Sequence, residues 1–431
     1  MNFNKITYKK EILLFGLLFP LIIYLEHTYF NYFLLFTLLI HSFSKIKIDK
    51  NISIVIKFNT VFFYFSRYIY SLKKEGFVYP EMASDIFFDM QLFLLSLKCN
   101  SDISFSYKFM FSNQIFNCPV DIGFGPTSEQ IKYPFDVWYG TLFIAILVFI
   151  FILFFIIKFK LSEQNLFLYL MIISPSFIFL FEQLNLDILI FIVLSTFIYY
   201  YDKLPKSIFY LTIVIFTSIK IYPIGFLLGS MVLSYSKKDR GELLKSGFFT
   251  SICLAYLYYY FILNNFELGT IPYNPLRTIG IYSDYLSIVK FYSLDFYGLK
   301  TGLITFFILF FISLINSFIE IEKYKTKNDE IFLLYLPTFL IISVYANYAY
   351  KLIYLMPLFW LLQNSLKEGE KIISYIMFLS TPSIFIFDFL GGKSIFEFFF
   401  IIISRVGYYY LFTMCITVGF LIFFKNWKKI Y

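Results

Sequence analysis

Histidine is almost missing from this chain, with 2 in 431 residues, and cysteine (4), tryptophan (3) and glycine (18) are scarce as well. The two histidines, His27 and His41, stand at opposite ends of the first two apolar stretches. No His-based metal centre and no Ser-His or Cys-His nucleophile can be assembled from them, which excludes a zinc hydrolase and acyl transfer through a membrane histidine. So few glycines do not suit a series of broken spans around a central path, the construction expected of a transporter or a lipid-linked oligosaccharide flippase. No Gly/Ser- or Pro-rich linker and no fixed-period repeat divides the chain, so residues 1–431 read as a single integral membrane domain.

Hydrophobic residues make up 59% of the sequence, with 62 Phe and 38 Tyr, and the mean hydropathy is +0.74. Apolar stretches recur near the length of about 17 to 25 residues that a bilayer demands and lack the alternation of a barrel. The expected fold is all-α, a polytopic transmembrane helical bundle of about 12 to 14 spans. Spans centre near residues 18, 36, 62, 148, 173, 193, 213, 228, 254, 308, 338, 357, 380 and 414. The formal charge of +8 is spread over the short connections between them, which is the positive-inside pattern and not a nucleic-acid surface. Lys5, Lys9 and Lys10 before the first span and Lys425, Lys428 and Lys429 at the other end place both termini in the cytoplasm of a multi-pass cell (inner or plasma) membrane protein. The segment from Glu11 to Tyr24 lacks a small-x-small cleavage site and reads as an uncleaved first span. The aromatic share of 24% reads partly as nucleotide bias, and is not taken as a stacking platform for nucleic acid.

One insertion, residues 71–137, differs from its surroundings in holding eight acids against five lysines. Its balance places it outside the cell membrane, where a second long loop, residues 263–300, is able to pack over it. Cys99 and Cys118 both lie in the first of these loops, either as a disulfide of an oxidising compartment or as two separate thiols. Asp85 and Asp89 lie there too, spaced to share one helix face. Paired carboxylates near a bilayer suit a general base whose affinity for protons is raised by its neighbour. The other readings are a solvated juxtamembrane helix, or a divalent-metal site needing further oxygen ligands. A metal is not favoured, and no cofactor is expected.

A further constellation runs from Phe181-Glu-Gln-Leu-Asn-Leu-Asp187 through an apolar span to Ser218-Ile-Lys-Ile-Tyr-Pro223. Between the basic connections at Lys206 and Lys237 only about thirty residues are left for two crossings, so a short hairpin with Lys220 at its outer tip is expected. The alternative is one tilted helix. A lysine at membrane depth costs about 2.5 to 3.5 kcal/mol unless it snorkels or meets an anion, and a lipid phosphate is such an anion.

Glu182-Gln183-x-Asn185, followed by a span and Lys220-x-x-Pro223, resembles the polyprenyl-phosphate-sugar-dependent glycosyltransferases of the GT-C class, in particular glycosyltransferase family 87. Asp89-Met-Gln-Leu, Tyr133-Pro134-Phe135, and Tyr350-Lys351-Leu352-Ile353 before Met356-Pro357 are similar to further stretches of that family in the same order. Lys351 stands where the family has arginine and Phe135 where it has a second proline. Two additional spans precede the acidic loop. The resemblance, over residues 80–360, implies inverting transfer of a hexose, mannose-like, from a polyprenyl-phosphate donor to a lipid-linked or glycan acceptor. It implies Asp89 as base with Asp85 beside it, and Lys220, Arg277 or Lys351 on the phosphate. Glu182, Gln183 and Asn185 are implied on sugar hydroxyls, with Tyr133 and Tyr350 lining the site. An O-antigen-type polymerase, expected to carry arginines in a late outer loop, a flippase and a purely structural membrane subunit are the competing readings.

Overall fold

The structure is a computed structural model of the chain. It describes chiefly residues 87–107, 115–118, 131–158, 184–259, 326–344, 353–362 and 395–428, with short stretches within 53–61, 177–181, 278–279, 307–315 and 347–348. Among these residues the architecture is helical. Helices α1 (Phe88–Cys99) and α2 (Val137–Lys158) flank a hairpin of strands β1 (Ser106–Lys108) and β2 (Ile115–Asn117). Then come α3 (Leu186–Tyr199), α4 (Lys206–Ile219), α5 (Ile224–Ser236) and α6 (Arg240–Tyr258). Strand β3 (Thr278–Ile279), helix α7 (Asp329–Val344), strand β4 (Asn347–Tyr348), and helices α8 (Leu355–Leu362) and α9 (Ile395–Lys428) complete the order.

Two described helices are long and apolar enough to cross a membrane, α2 and the Tyr408–Lys425 part of α9. In α2 the mean hydropathy of the most apolar window is 3.2 and only 28% of that window is buried. Phe143, Ile150, Phe154 and Ile157 face outward, each more than half exposed. An outer surface of this composition is suited to lipid and not to water. The expected spans near 148, 193, 213, 228, 254, 338, 357 and 414 all fall on helices, although α8, at 8 residues, is far too short to cross. The centres near 18, 36, 62, 173 and 380 lie outside the described residues, and the span near 308 is described only at a few helical positions within 307–315.

The single tilted helix between Lys206 and Lys237 does not form. Helix α4 stops at Lys220, whose backbone is extended (φ −139°, ψ 129°), and Pro223, with its fixed φ, starts α5. The Tyr210 and Ser230 hydroxyls, equally far from this break, are 2.7 Å apart, so the two helices run antiparallel as the expected hairpin. With 14 and 13 residues they are each about 20 Å long, well short of a 30 Å core.

At the open end of the hairpin Tyr210 also donates to Glu242 Oε1 at 2.5 Å, and Tyr201 is 3.1 Å from Ser230. Lys206 and Lys245 both approach Glu242 at 3.9 Å. Lys237 meets Glu330 at 2.6 Å and Lys425 meets Asp329 at 3.6 Å, so α4 to α7 and the end of α9 share one basic face.

The closest helix crossing is between α5 and α7. A Cβ added to Gly225 would fall 2.4 Å from the Thr338 backbone, and one on Gly229 would fall 2.6 Å from the Leu333 carbonyl oxygen. Pro337 lies inside α7 and has no N–H for that Leu333 oxygen, which instead faces the bare glycine backbone. Gly225 and Gly229, four residues apart, thus form a small-xxx-small seam that brings the two backbones together.

Within residues 71–137 the described residues form a helix and a hairpin tied together. Cys99 and Cys118 are bonded, which settles the alternative left open by the sequence. Tyr107 donates to Gln91 at 2.8 Å, Lys98 to the Pro134 oxygen at 2.8 Å, and the Tyr133 N–H to the Leu97 oxygen at 3.2 Å. Closing this loop of about twenty residues contributes about 3 kcal/mol on a chain-entropy estimate. Thiol labelling of denatured protein is therefore expected to modify only Cys253 and Cys415 before reduction and all four cysteines after it. Four labels without reductant would show that the pair does not form in the cell. The second long loop is described only at β3, which pairs antiparallel with β4.

Candidate active site

At the end of the helices opposite the basic face, the expected site residues Asp89 and Asn185 are hydrogen-bonded and Lys220 lies within electrostatic reach of Asp89. Asp89 lies in the first turn of α1, behind Phe87, which takes the left-handed conformation (φ 58°) and is almost fully buried. Asn185 caps α3, its Oδ1 accepting the Asp187 N–H at 3.0 Å. The other side of the same amide, Nδ2, donates to Asp89 Oδ2 at 2.6 Å. The two contacts fix the orientation of the amide.

Leu184, just before this cap, is also left-handed (φ 47°). Its N–H returns to the Phe181 oxygen and that of Asn185 to the Leu180 oxygen, the bonds of a Schellman turn in which glycine is usual. Leucine here costs about 1 to 2 kcal/mol of backbone strain. Strain at both Phe87 and Leu184 falls on the two chain segments that present Asp89 and Asn185, a distribution typical of functional sites.

Asp89 is half-buried, and its carboxyl is pushed up from the usual 3.8 to about 6. Desolvation is the main cause. The hydrogen bond from Asn185 and the positive charge of Lys220 act downward, and the negative Asp187 acts upward. The result is a carboxylate at neutral pH with a raised affinity for protons, facing a cation.

Asp187, Tyr222 and Tyr354 were not singled out by sequence reasoning, although the first two lie within the motifs it quoted. Asp187 is completely buried, and so are the two tyrosines or nearly so. Tyr222 donates to Asp187 Oδ1, and its hydroxyl is 3.0 Å from that of Tyr354, which donates to the Asp187 main-chain oxygen at 3.1 Å. The signal available beforehand was the position of Asp187, an acid in a helix first turn two residues after an Asn cap.

The remaining expectations divide. Tyr133 lies at the far end of α1, its N–H on Leu97 and its ring against Gly140, so about eight residues or 12 Å of helix separate it from Asp89. Asn185 is engaged by protein groups at both sides of its amide, one of them the Asp89 carboxylate. Helix α1 begins at Phe88, with the left-handed Phe87 as its N-cap, so Asp89 lies in its first turn. Asp85, Glu182, Gln183, Arg277, Tyr350 and Lys351 lie outside the described residues.

Comparison with known proteins yields no match: no family model fits the chain, and no curated protein or solved structure is similar to it.

Proposed function

We propose that this protein is a membrane glycosyltransferase that moves a sugar from a polyprenyl-phosphate donor to a lipid-linked or glycan acceptor at the extracytoplasmic face. The observation that carries the reading is the convergence of Asp89, Asn185 and Lys220, which are far apart in sequence, on one end of the helices. The basic groups gather at the other end, and by the positive-inside tendency that end faces the cytoplasm.

In this reading the acceptor hydroxyl gives its proton to Asp89 while its oxygen bonds to the anomeric carbon. The bond from that carbon to the phosphate oxygen breaks, and the electron pair leaves with the polyprenyl phosphate. Lys220 stabilises the charge that develops there. Attack opposite the leaving group inverts the anomeric centre. Asn185 keeps the carboxylate aimed and acts to lower its proton affinity, against the desolvation that raises it.

The test is reconstitution into vesicles with a panel of labelled polyprenyl-phosphate sugars, hexoses first. Label moving to a glycan or glycolipid in wild type, with loss in Lys220→Ala, is the expected result. Transfer only of preassembled, diphosphate-linked glycans would point to a polymerase, and movement across the bilayer without transfer to a flippase. Either outcome would replace the present reading.

A further inference from the structure

Lys220 sits where the helix is interrupted between α4 and α5, a place with little intrinsic rigidity, and what holds that turn is two residues away. Tyr222 reaches from the hairpin tip to Asp187 in the first turn of α3 and to Tyr354 just ahead of α8. Tyr354 closes the triangle on the Asp187 main chain and packs edge-on against both Tyr222 and Phe191, with ring centroids 5.1 and 5.6 Å apart. Asp187 is in turn tied to Asn185, and Asn185 to the base. A continuous set of hydrogen bonds thus runs from Asp89 to the residue next but one to Lys220.

The set carries a cost. Asp187 Oδ2 is buried with no hydrogen-bond partner among the described residues, and an unmet buried acceptor is unfavourable. Apolar side chains would join these three elements without that cost, so the polar arrangement is not accounted for by packing alone.

We propose that Asp187, Tyr222 and Tyr354 form a positioning clamp that sets where Lys220 stands relative to Asp89, and thereby the binding of the donor's phosphate. The role rests on the glycosyltransferase reading, but the clamp itself does not. These are positioning residues: none is placed on substrate, and their influence passes through Lys220 and Asn185. Among the described residues, the charged and titratable groups facing Asp187 are Tyr222 from the hairpin tip, Tyr354 from the start of α8 and, electrostatically, Asp89 from α1.

The experiment uses the full chain in lipid nanodiscs with two readouts on wild type, Tyr222→Phe, Tyr354→Phe and Lys220→Met. Amide hydrogen exchange over residues 216–226 reports the clamp without reference to any activity. Faster exchange in Tyr222→Phe at unchanged overall fold is expected, and unchanged exchange would overturn the clamp. Steady-state transfer from a polyprenyl-phosphate hexose reports its purpose. In Tyr222→Phe the kcat/KM for the donor is expected to fall about tenfold, the size of one lost buried hydrogen bond, with kcat sharing in the loss because Lys220 also meets the charge that develops on the phosphate. A loosened tip with an unaltered kcat/KM, where Lys220→Met lowers it, would overturn the positioning role. Wild type without transfer from, or affinity for, any polyprenyl phosphate would overturn the functional reading and with it the clamp's purpose, while exchange still decides whether the clamp exists.

Discussion

Below pH 6 the kcat/KM for transfer is expected to fall tenfold per unit, because a protonated Asp89 cannot accept the acceptor's proton. The neighbours decide where that limb lies, and each has a definite sign. Asn185→Leu removes a bond to the ionised form, so the limb moves to higher pH, as it does when the charge is lost in Lys220→Met. Asp187→Asn removes a like charge and moves it to lower pH. Asp89→Asn abolishes the limb along with about 10² to 10⁴ of the rate.

Stability runs the other way. A folded-state value raised above the unfolded one means that the charged form opposes folding. The penalty is absent below about pH 4, grows as pH rises to 6 and is then constant at up to about 3 kcal/mol. Asp89→Asn is thus expected to unfold at or above the wild-type temperature at pH 8. A large drop in melting temperature would mark Asp89 as a structural residue.

The largest effect on stability is expected at the seam between α5 and α7. In Gly229→Val the new Cβ meets three backbone atoms of Leu333 and Leu334 within 2.8 Å, and no side chain can rotate away to admit it. The helices have to separate, which exceeds the 1 to 3 kcal/mol usual for overpacking. Gly247→Ala is the control, since its Cβ would come no nearer than 4.0 Å to the flexible end of Met231. There the gain in helix propensity is expected to leave stability equal or about 0.5 to 1 kcal/mol higher. Thermal unfolding in detergent distinguishes the two, and equal melting temperatures for both variants would contradict the close crossing.

Hydropathy and lysine spacing made most of the helical order legible, because the length of an apolar run is a property of the chain itself. The break at Lys220 was readable for the same reason, from too few residues between two basic connections and a proline at the turn. Asp89 and Lys220 were readable as residues of the wrong chemistry for their surroundings, and Asn185 only through the family resemblance. What was not readable depended on backbone conformation and long-range contact. Nothing in Ile86-Phe87-Phe88 signals a left-handed phenylalanine ahead of the helix that carries Asp89. Tyr222 and Tyr354 are two among 38 tyrosines, and their pairing across 132 positions leaves no local mark. Asp187 was quoted only as the end of the Phe181–Asp187 stretch, whereas burial against those tyrosines joins it to the hydrogen bonds around Asn185.

Single-turnover transfer from one labelled polyprenyl-phosphate hexose, compared between wild type and Asp89→Asn in the same vesicles, tests the central claim most directly. Rapid transfer by wild type and a loss of at least a hundredfold in a variant that is folded and still binds the donor is the expected result. Undiminished transfer by Asp89→Asn would contradict it.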